Sequence, residues 1–192
     1  MIAGIDYGSK TAGTTVVAWA EGEKIYFAQS EKNKDADLFL TQFIATKHFH
    51  LIALDAPLSL PAKLISRTSD GDYFYRKADK ELRAMSPMFL GGLTARAMKL
   101  RDDLARAVNT IVEAYPKAFV QLLQYRPLYQ KKNLSHLPQF YQELQAEFSD
   151  YQYPKVRNWH QVDAIIAFLI ADKYQKGIHS SAGDSKEGLI IY

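Results

Sequence analysis

The chain has 192 residues, enough for one domain with a real hydrophobic core but too few for two independent catalytic domains. Its composition, 47% hydrophobic and 23% charged, is that of an ordinary globular protein, and a net charge of +3 does not by itself indicate a nucleic-acid partner. The absence of cysteine excludes disulfides, thiol nucleophiles and cysteine zinc sites, so a metal ion would need oxygen or nitrogen ligands. No run approaches the roughly 20 apolar residues that cross a bilayer, and no signal segment is visible, so we expect no membrane association and a cytoplasmic protein.

The first third of the chain predicts a three-stranded antiparallel meander. Residues 2–7 are apolar, residues 14–20 are rich in β-branched side chains, and residues 24–30 follow at hairpin distance. Helices and strands then alternate, because apolar side chains recur at helical spacing in some segments and run continuously in others. The predicted elements are a helix from the N-cap Asp35 to about Lys47, a strand over 51–55, a helix over 93–108, a strand over 110–115 and a closing helix that begins at Asn158 and ends before Gly177.

Two segments interrupt this alternation. Residues 58–92 contain a loop-like SRTSDGD stretch and a charged helix, and we interpret them as an inserted helical segment. Residues 117–157 are rich in tyrosine with few clean periods and form a second excursion. Without these segments the order is βββαβαβα, which predicts one domain over residues 1–192. The expected fold class is α/β, with the RNase H-like mixed five-stranded sheet of a three-stranded antiparallel meander plus two parallel strands, flanked by helices. The apolar residues 188–192 could add a short strand.

Four carboxylates lie where a charge is costly to bury. Asp6, Asp55 and Glu113 lie in or at the end of apolar strands, and Asp163 lies one turn into an apolar helix. Such a group normally pairs, binds a cation or takes up a proton. Since the carboxyl ends of parallel strands meet at one edge of a sheet, we expect the three strand acids to lie close together. Helical spacing would present His160 beside Asp163.

These residue types favour a metal-dependent nuclease. Clustered carboxylates repel one another unless a cation neutralises them, and oxygen ligands with one imidazole suit Mg²⁺ or Mn²⁺. Such ions can activate water and stabilise the leaving oxygen of a phosphodiester in DNA or RNA. We therefore predict that Asp6, Asp55, Glu113 and Asp163 bind metal and that His160 assists proton transfer. Taken singly, a strand-end acid could instead cap a loop or helix, Asp163 could complement a helix dipole, and His160 could be a surface residue at the start of a helix.

Four basic residues are candidate contacts to the substrate. Lys10 lies in the Gly8–Thr15 turn, whose backbone N–H groups could hold phosphate. Arg76 and Arg83 lie in the insertion and Arg96 on the next predicted helix, where they could follow a phosphate backbone. The alternatives are a glycine-flanked hairpin for the turn and a solvated charged face for the arginines.

Several short motifs spread over nearly the whole chain carry a resemblance to a known family. The pattern resembles the Domain of Unknown Function 429 family of predicted RNase H-fold nucleases, which is related to RuvC-like resolvases; the motifs are GIDYG, LDAPLSLP, YRKADKELR, VEAYPKA and HQVDAIIAFLIA. The resemblance implies that Asp6, Asp55 and Asp163 match the acidic positions of RNase H-like nucleases. It also implies that His160 matches the histidine of the resolvase HxxDA pattern, while Glu113 belongs to the family's own ExYP motif.

Two other functions remain open from the sequence. The Gly8–Thr15 turn also resembles the phosphate-binding turn of actin-like ATPases and sugar kinases, which would make the protein a nucleotide-dependent phosphotransferase or ATPase. A non-catalytic nucleic-acid-binding module is the third possibility. Thermal protection by ATP would favour the first of these, and metal-independent nucleic-acid affinity without cleavage would favour the second.

Overall fold

A computed structural model of the protein describes residues 1–66 and 71–192. The strands of these residues form a single mixed sheet in the order β3-β2-β1-β4-β5-β7-β6. They are β1 (Ile2–Asp6), β2 (Val16–Glu21), β3 (Lys24–Gln29), β4 (Leu51–Asp55), β5 (Thr110–Ala114), β6 (Ser181–Asp184) and β7 (Gly188–Ile191).

The predicted meander and parallel strands are confirmed, but the predicted number of strands is wrong. Strands β1 to β3 pair antiparallel, and β1, β4 and β5 pair parallel, as expected. The sheet continues beyond β5, because β7 pairs parallel to β5 and β6 pairs antiparallel to β7. The apolar residues 188–192 predicted β7 as a possible strand. The sequence did not predict β6, because its residues SAGD have low strand propensity and form a strand only by pairing with β7.

Helices cover both faces of the sheet. They are α1 (Ala36–Ala45), α2 (Ala62–Ile65), α3 (Lys77–Leu82), α4 (Pro87–Leu90), α5 (Gly92–Leu104), α6 (Pro116–Gln121), α7 (Leu137–Glu147) and α8 (Trp159–Gln175). The predicted insertion 58–92 thus carries the three short helices α2, α3 and α4, and its residues 67–70 lie outside the described residues. The second excursion, 117–157, carries most of α6, two short 3₁₀ turns and α7. Within the described ranges, no helix has the length and apolar character that a bilayer span requires.

Two helix starts follow the sequence prediction. The Asp35 carboxylate accepts hydrogen bonds from the backbone N–H groups of Asp37 and Leu38, at 2.9 and 3.1 Å, and caps α1. The Asn158 side chain accepts from the N–H of Gln161 at 3.0 Å and caps α8. Both side chains satisfy donors that the first helical turn leaves free. Each cap therefore confirms a predicted boundary.

The alternation of side chains along the strands divides the core into two halves. Ile5 and Leu54 belong to the half that also contains α1 and α5, whereas Val16 and Ala114 belong to the half that contains α8. Gly4 faces α8, and a β-carbon there would lie 1.9 Å from the backbone nitrogen of Phe168. Helix α8 therefore crosses β1 in direct backbone contact, which brings the start of α8 close to the end of β1.

Candidate active site

The candidate site begins with two carboxylates at the ends of adjacent parallel strands. Asp6 ends β1, Asp55 ends β4, and the two are register partners. Neighbouring strands are about 4.8 Å apart, and register partners point to the same face of a sheet. Asp6 is also the register partner of Val16, whose side chain lies in the α8 half of the core. Both carboxylates are therefore directed to the α8 face, and the predicted proximity of Asp6 and Asp55 is present.

The first turns of α8 add a histidine and a third carboxylate. The Nδ1 atom of His160 lies 2.8 Å from Oδ2 of Asp6, and this hydrogen bond raises the pKa of His160 above its ordinary value. Asp163 lies on the same side of the helix and is 1% exposed. Its Oδ1 atom accepts a hydrogen bond of 2.5 Å from the hydroxyl of Tyr129. Strand ends and one helix thus bring together Asp6, Asp55, His160 and Asp163.

The negative charge of this acid centre, which we define as Asp6, Asp55 and Asp163, is poorly compensated. Burial raises the pKa of Asp163 to about 6, although Lys131 lowers it. Burial also raises the pKa of Asp55 well above its ordinary value, and the charges of Asp6 and Asp163 raise it further. Within the described ranges, the Asp55 carboxylate accepts no hydrogen bond, and Oδ2 of Asp163 contacts only the Lys131 ammonium. Buried carboxylates in this condition favour a proton or a cation.

Two residues of the second excursion complete the surroundings of the acid centre. The Nζ atom of Lys131 forms an ion pair with Oδ2 of Asp163 and lies 5.4 Å from the ring centre of Tyr129. Tyr129 and Lys131 lie in the excursion over residues 117–157, for which the sequence predicts no role at the acids. No periodic pattern links them to Asp163, which follows Lys131 by 32 positions. Their role depends on a tertiary contact that the sequence pattern does not predict.

Glu113 lies on the opposite face of the sheet. Its register partner is Leu54, whose side chain packs in the half of the core that contains α1 and α5. Asp55 is the next residue of the strand, so its side chain points to the other face. The Arg76 guanidinium donates to both Glu113 carboxylate oxygens, at 2.6 and 2.7 Å, and the backbone N–H of Leu58 donates at 2.8 Å. Glu113, the predicted fourth metal ligand, is therefore bound by Arg76. The alternation of side chains along β5 points it away from the acid centre.

Arg76 is a buried structural residue here, which differs from its predicted position over the substrate. Its side chain is 1% exposed and also donates to both oxygens of Asp79, at 2.7 and 3.1 Å. Burial lowers the pKa of the guanidinium, but the hydrogen bonds with Glu113 and Asp79 more than offset this and raise it above its ordinary value. A guanidinium engaged in this way has no free face for a phosphate. It instead ties α3 of the insertion to β5.

The other predicted substrate contacts lie apart from the acid centre or are already paired. Lys10 forms a 3.0 Å ion pair with Asp35, and the N–H of Gly8 in the same turn donates to Oγ1 of Thr15 at 3.0 Å. Arg96 donates to both Asp37 oxygens, at 2.6 and 2.9 Å. The Gly8 N–H and the Lys10 ammonium of the Gly8–Thr15 turn thus each have a partner within the protein. Arg83, at the end of α3, is exposed.

A cavity of about 250 Å³ opens beside the acid centre. Asp6, Asp55 and Tyr115 line it at the ends of the strands, and the insertion and the start of α5 contribute an apolar wall that includes Met85 and Leu93. Glu113 and Arg76 line the same cavity from the other face of the sheet. Asp6 and Asp55 are therefore accessible to a ligand through this cavity, whereas Asp163 lies behind them and is 1% exposed.

A family model described as a protein of unknown function, DUF429, matches residues 4–187. The chain belongs to the DUF429 family. The family resemblance predicted from the motifs is thereby confirmed, whereas the relation to nucleases stays a prediction. No curated protein and no solved structure matches the chain.

The donor set of this DUF429 protein suits a hard divalent cation in chemistry, although its ligands are not assembled around a common point. Three carboxylates without sulfur ligands are the kind of donors that Mg²⁺ and Mn²⁺ prefer. In the part of the chain that the structure describes, however, no three His, Cys, Asp or Glu side chains are grouped as a metal site requires. Glu113 is bound by Arg76, and the Lys131 ammonium lies against Asp163. The Asp55 carboxylate, which accepts no hydrogen bond within the described ranges, remains the group with the strongest need for a cation.

Proposed function

We propose that this DUF429 protein is a metal-dependent nuclease that hydrolyses phosphodiester bonds in DNA or RNA. The observation that carries the proposal is the convergence of Asp6, Asp55 and Asp163 on one side of the sheet with too few compensating groups. A purely structural cluster of acids would be expected to be paired, as Glu113 is by Arg76. The same chain thus contains a buried carboxylate that a guanidinium neutralises and, in Asp55, a buried carboxylate that accepts no hydrogen bond from the described residues.

The order and direction of the first five strands support this proposal. The first five strands have the directions and connections that we expected of an RNase H-like domain, with a meander followed by two parallel strands. In such a sheet, the carboxyl ends of the parallel strands are where ligands bind. Asp6 and Asp55 occupy these ends. The additional strands β6 and β7 extend the opposite edge beyond β5 and leave this arrangement intact.

The site residues would have different roles in catalysis. Asp6, Asp55 and Asp163 would hold Mg²⁺ or Mn²⁺, which supplies an activated water and stabilises charge on the leaving oxygen. Asp6 accepts the Nδ1 hydrogen of His160, so Nε2 is the nitrogen that can exchange a proton with the reacting groups. Asp6 also fixes the orientation of the imidazole. Tyr129 donates to Asp163 and holds that carboxylate in place.

Exposed aromatic residues on the insertion favour a nucleic acid over a small phosphodiester. Phe74 and Phe89 are 53% and 63% exposed and stack on each other with ring centres 5.9 Å apart. Met85, which lines the cavity beside the acids, is exposed as well. Unpaired bases stack on such side chains, and the exposed Arg83 offers a cation for the backbone. We therefore infer that single-stranded regions of DNA or RNA approach the acid centre across the insertion.

The test is a cleavage panel of single strands, duplexes, RNA–DNA hybrids and junctions in Mn²⁺. We expect cleavage by the parent that EDTA abolishes, and loss of cleavage in Asp55→Asn and Asp163→Asn, which keep the size of each side chain but remove its charge. Asp103→Asn is the matched control, because Asp103 is an exposed residue of α5 that pairs with Lys99. Cleavage by both site variants at the parental rate would remove the acid centre from the mechanism.

A further inference from the structure

We propose that Lys131 is the resident counter-ion of the acid centre and that its ammonium group and a divalent cation compete for Asp163. The inference rests on the proposed function, because it concerns metal binding at the same carboxylates. It explains why three acids converge without forming a ready metal site. The position next to Asp163 is already taken by a positive charge that belongs to the chain.

The two partners of the ion pair differ in solvent exposure, and this difference favours replacement of the ammonium by another cation. Asp163 is 1% exposed, whereas the Lys131 side chain is 48% exposed. The carboxylate is therefore fixed in the core, and the ammonium reaches it from solvent. Within the described ranges, the Lys131 ammonium is the only group in contact with Oδ2 of Asp163. A single ammonium that reaches a carboxylate oxygen from solvent is one that another cation can replace.

The charge of Lys131 acts on the whole acid centre. Burial lowers the pKa of the ammonium, but Asp163, and to a smaller extent Asp55 and Asp6, raise it above its ordinary value, so the group stays positively charged. In return, Lys131 lowers the pKa of both Asp163 and Asp55. A divalent cation at these carboxylates would do the same with twice the charge. The two cations would also repel each other, since both would lie next to Asp163.

The backbone around Lys131 permits the side chain to leave. Lys131 lies in a turn between the 3₁₀ turns at Arg126–Leu128 and Leu134–His136, outside any helix or strand. Tyr129 is anchored, because its ring packs against Phe140 and Trp159 with ring centres 5.4 Å apart in each case. Movement of the Lys131 side chain into solvent would therefore leave the hydrogen bond from Tyr129 to Asp163 unchanged.

The experiment measures Mn²⁺ binding, with Mn²⁺ alone as the probe and without substrate. Lys131→Met keeps the unbranched stem and removes the charge, so we expect it to bind Mn²⁺ at least about fivefold more tightly by calorimetry, corresponding to about 1 kcal/mol for a half-exposed ion pair. Lys131→Arg should bind Mn²⁺ no more tightly than the parent, because a guanidinium keeps the positive charge and can donate two hydrogen bonds to a carboxylate. Lys132→Met is the matched control, since it removes an equal charge from the next, exposed position.

Each outcome decides the proposal. Tighter Mn²⁺ binding in Lys131→Met but not in Lys132→Met supports competition at Asp163. Equal or weaker binding in Lys131→Met, or an equal gain in Lys132→Met, overturns it. If neither the parent nor Lys131→Met binds Mn²⁺, both the competition and the metal-dependent function are wrong. If Lys131→Met binds Mn²⁺ more tightly but no nucleic acid is cut, the inference stands and the nuclease function fails.

A second measurement applies if Lys131→Met folds poorly. In EDTA at neutral pH, loss of the counter-ion should lower the melting temperature, and adding Asp163→Asn should restore part of the loss because the unpaired buried charge is then removed. Additive effects of the two substitutions would show that Lys131 does not act as the counter-ion of Asp163. Lys132→Met combined with Asp163→Asn provides the additive reference.

Discussion

The Arg76 guanidinium donates to both oxygens of Glu113 at 2.6 and 2.7 Å, on the face of the sheet that α8 does not cover. The pair connects the inserted helices to β5, and the same guanidinium also holds Asp79. Glu113 thus has a structural partner that accounts for its burial. It differs in this respect from Asp55, the neighbouring acid of β4, which lacks a hydrogen-bonding partner in the described ranges.

The first prediction separates Glu113 from the metal ligands. Glu113→Gln removes one partner of a buried ion pair, so we expect it to lower the free energy of unfolding by about 3–5 kcal/mol. Urea denaturation in EDTA measures this loss. Addition of Mn²⁺ should still raise the melting temperature of the variant, because the acid centre lies on the other face. A variant that keeps its stability but loses the Mn²⁺ response would show that Glu113 is a ligand.

The second prediction concerns repulsion within the acid centre. Asp55 has like charges nearby and no hydrogen bond to lose, so Asp55→Asn should raise the stability of the metal-free protein by about 1 kcal/mol. Asp6→Asn should gain less, because it also weakens the hydrogen bond with His160. Melting temperatures in EDTA test this order. A lower melting temperature for Asp55→Asn would indicate that its carboxylate supports the fold instead of straining it.

The third prediction is a fall in stability with rising pH in EDTA. The folded-state pKa of Asp163 is about 6, and an unfolded aspartate has a pKa of about 3.9. The native state therefore binds more protons between these values, so the free energy of unfolding decreases from about pH 4 to about pH 6. The shift corresponds to a loss on the order of 3 kcal/mol, which is complete above pH 6 and absent below pH 4.

Asp163→Asn provides the control for this pH dependence. The variant cannot titrate at that position, so its free energy of unfolding should vary less between pH 4 and pH 6 than that of the parent. Urea unfolding at intervals across this range gives both profiles. Identical slopes for parent and variant would assign the pH dependence to other groups.

The fourth prediction tests His160 as the proton-transfer group. His160→Ala should reduce Mn²⁺-dependent cleavage by about 10² to 10⁴-fold, the usual contribution of one general acid or base. Because the hydrogen bond with Asp6 raises the pKa of His160, the parental rate should change with pH above the ordinary histidine value near 6.5. The variant should lack that change. Equal pH profiles for the two proteins would leave His160 with a structural role.

The fifth prediction concerns the aromatic surface of the insertion. Phe74→Ala and Phe89→Ala should each weaken binding of single-stranded DNA in EDTA by about 5- to 150-fold, because a stacked base contributes about 1–3 kcal/mol. Ile178→Ala is the control, since Ile178 is 62% exposed and follows α8, outside the insertion. Fluorescence anisotropy with a labelled oligonucleotide measures the affinities. Equal losses in all three variants would assign the effect to general surface hydrophobicity.

The strand ends of the site could be predicted from the sequence, but its contacts across the core could not. Asp6 and Asp55 end apolar runs, so their place at one edge follows from the rules of parallel sheets. The face on which Glu113 lies depends on the register between β4 and β5, where a shift of one residue reverses the face. Glu113 pairs with Leu54 and not with Asp55, so it lies on the face opposite to Asp55. Lys131 reaches Asp163 from a segment without regular periodicity, and such a contact depends on how α7 and the 3₁₀ turns pack.

Gly4 has a consequence for how this site can change. Main-chain atoms of β1 and α8 meet there, so no side chain at position 4 separates the strand that ends at Asp6 from the helix that carries Asp163. A single methyl group at position 4 would push the whole helix outward, with His160 and Asp163 on it. The absence of a side chain at position 4 thus sets how closely α8, with His160 and Asp163, approaches the end of β1.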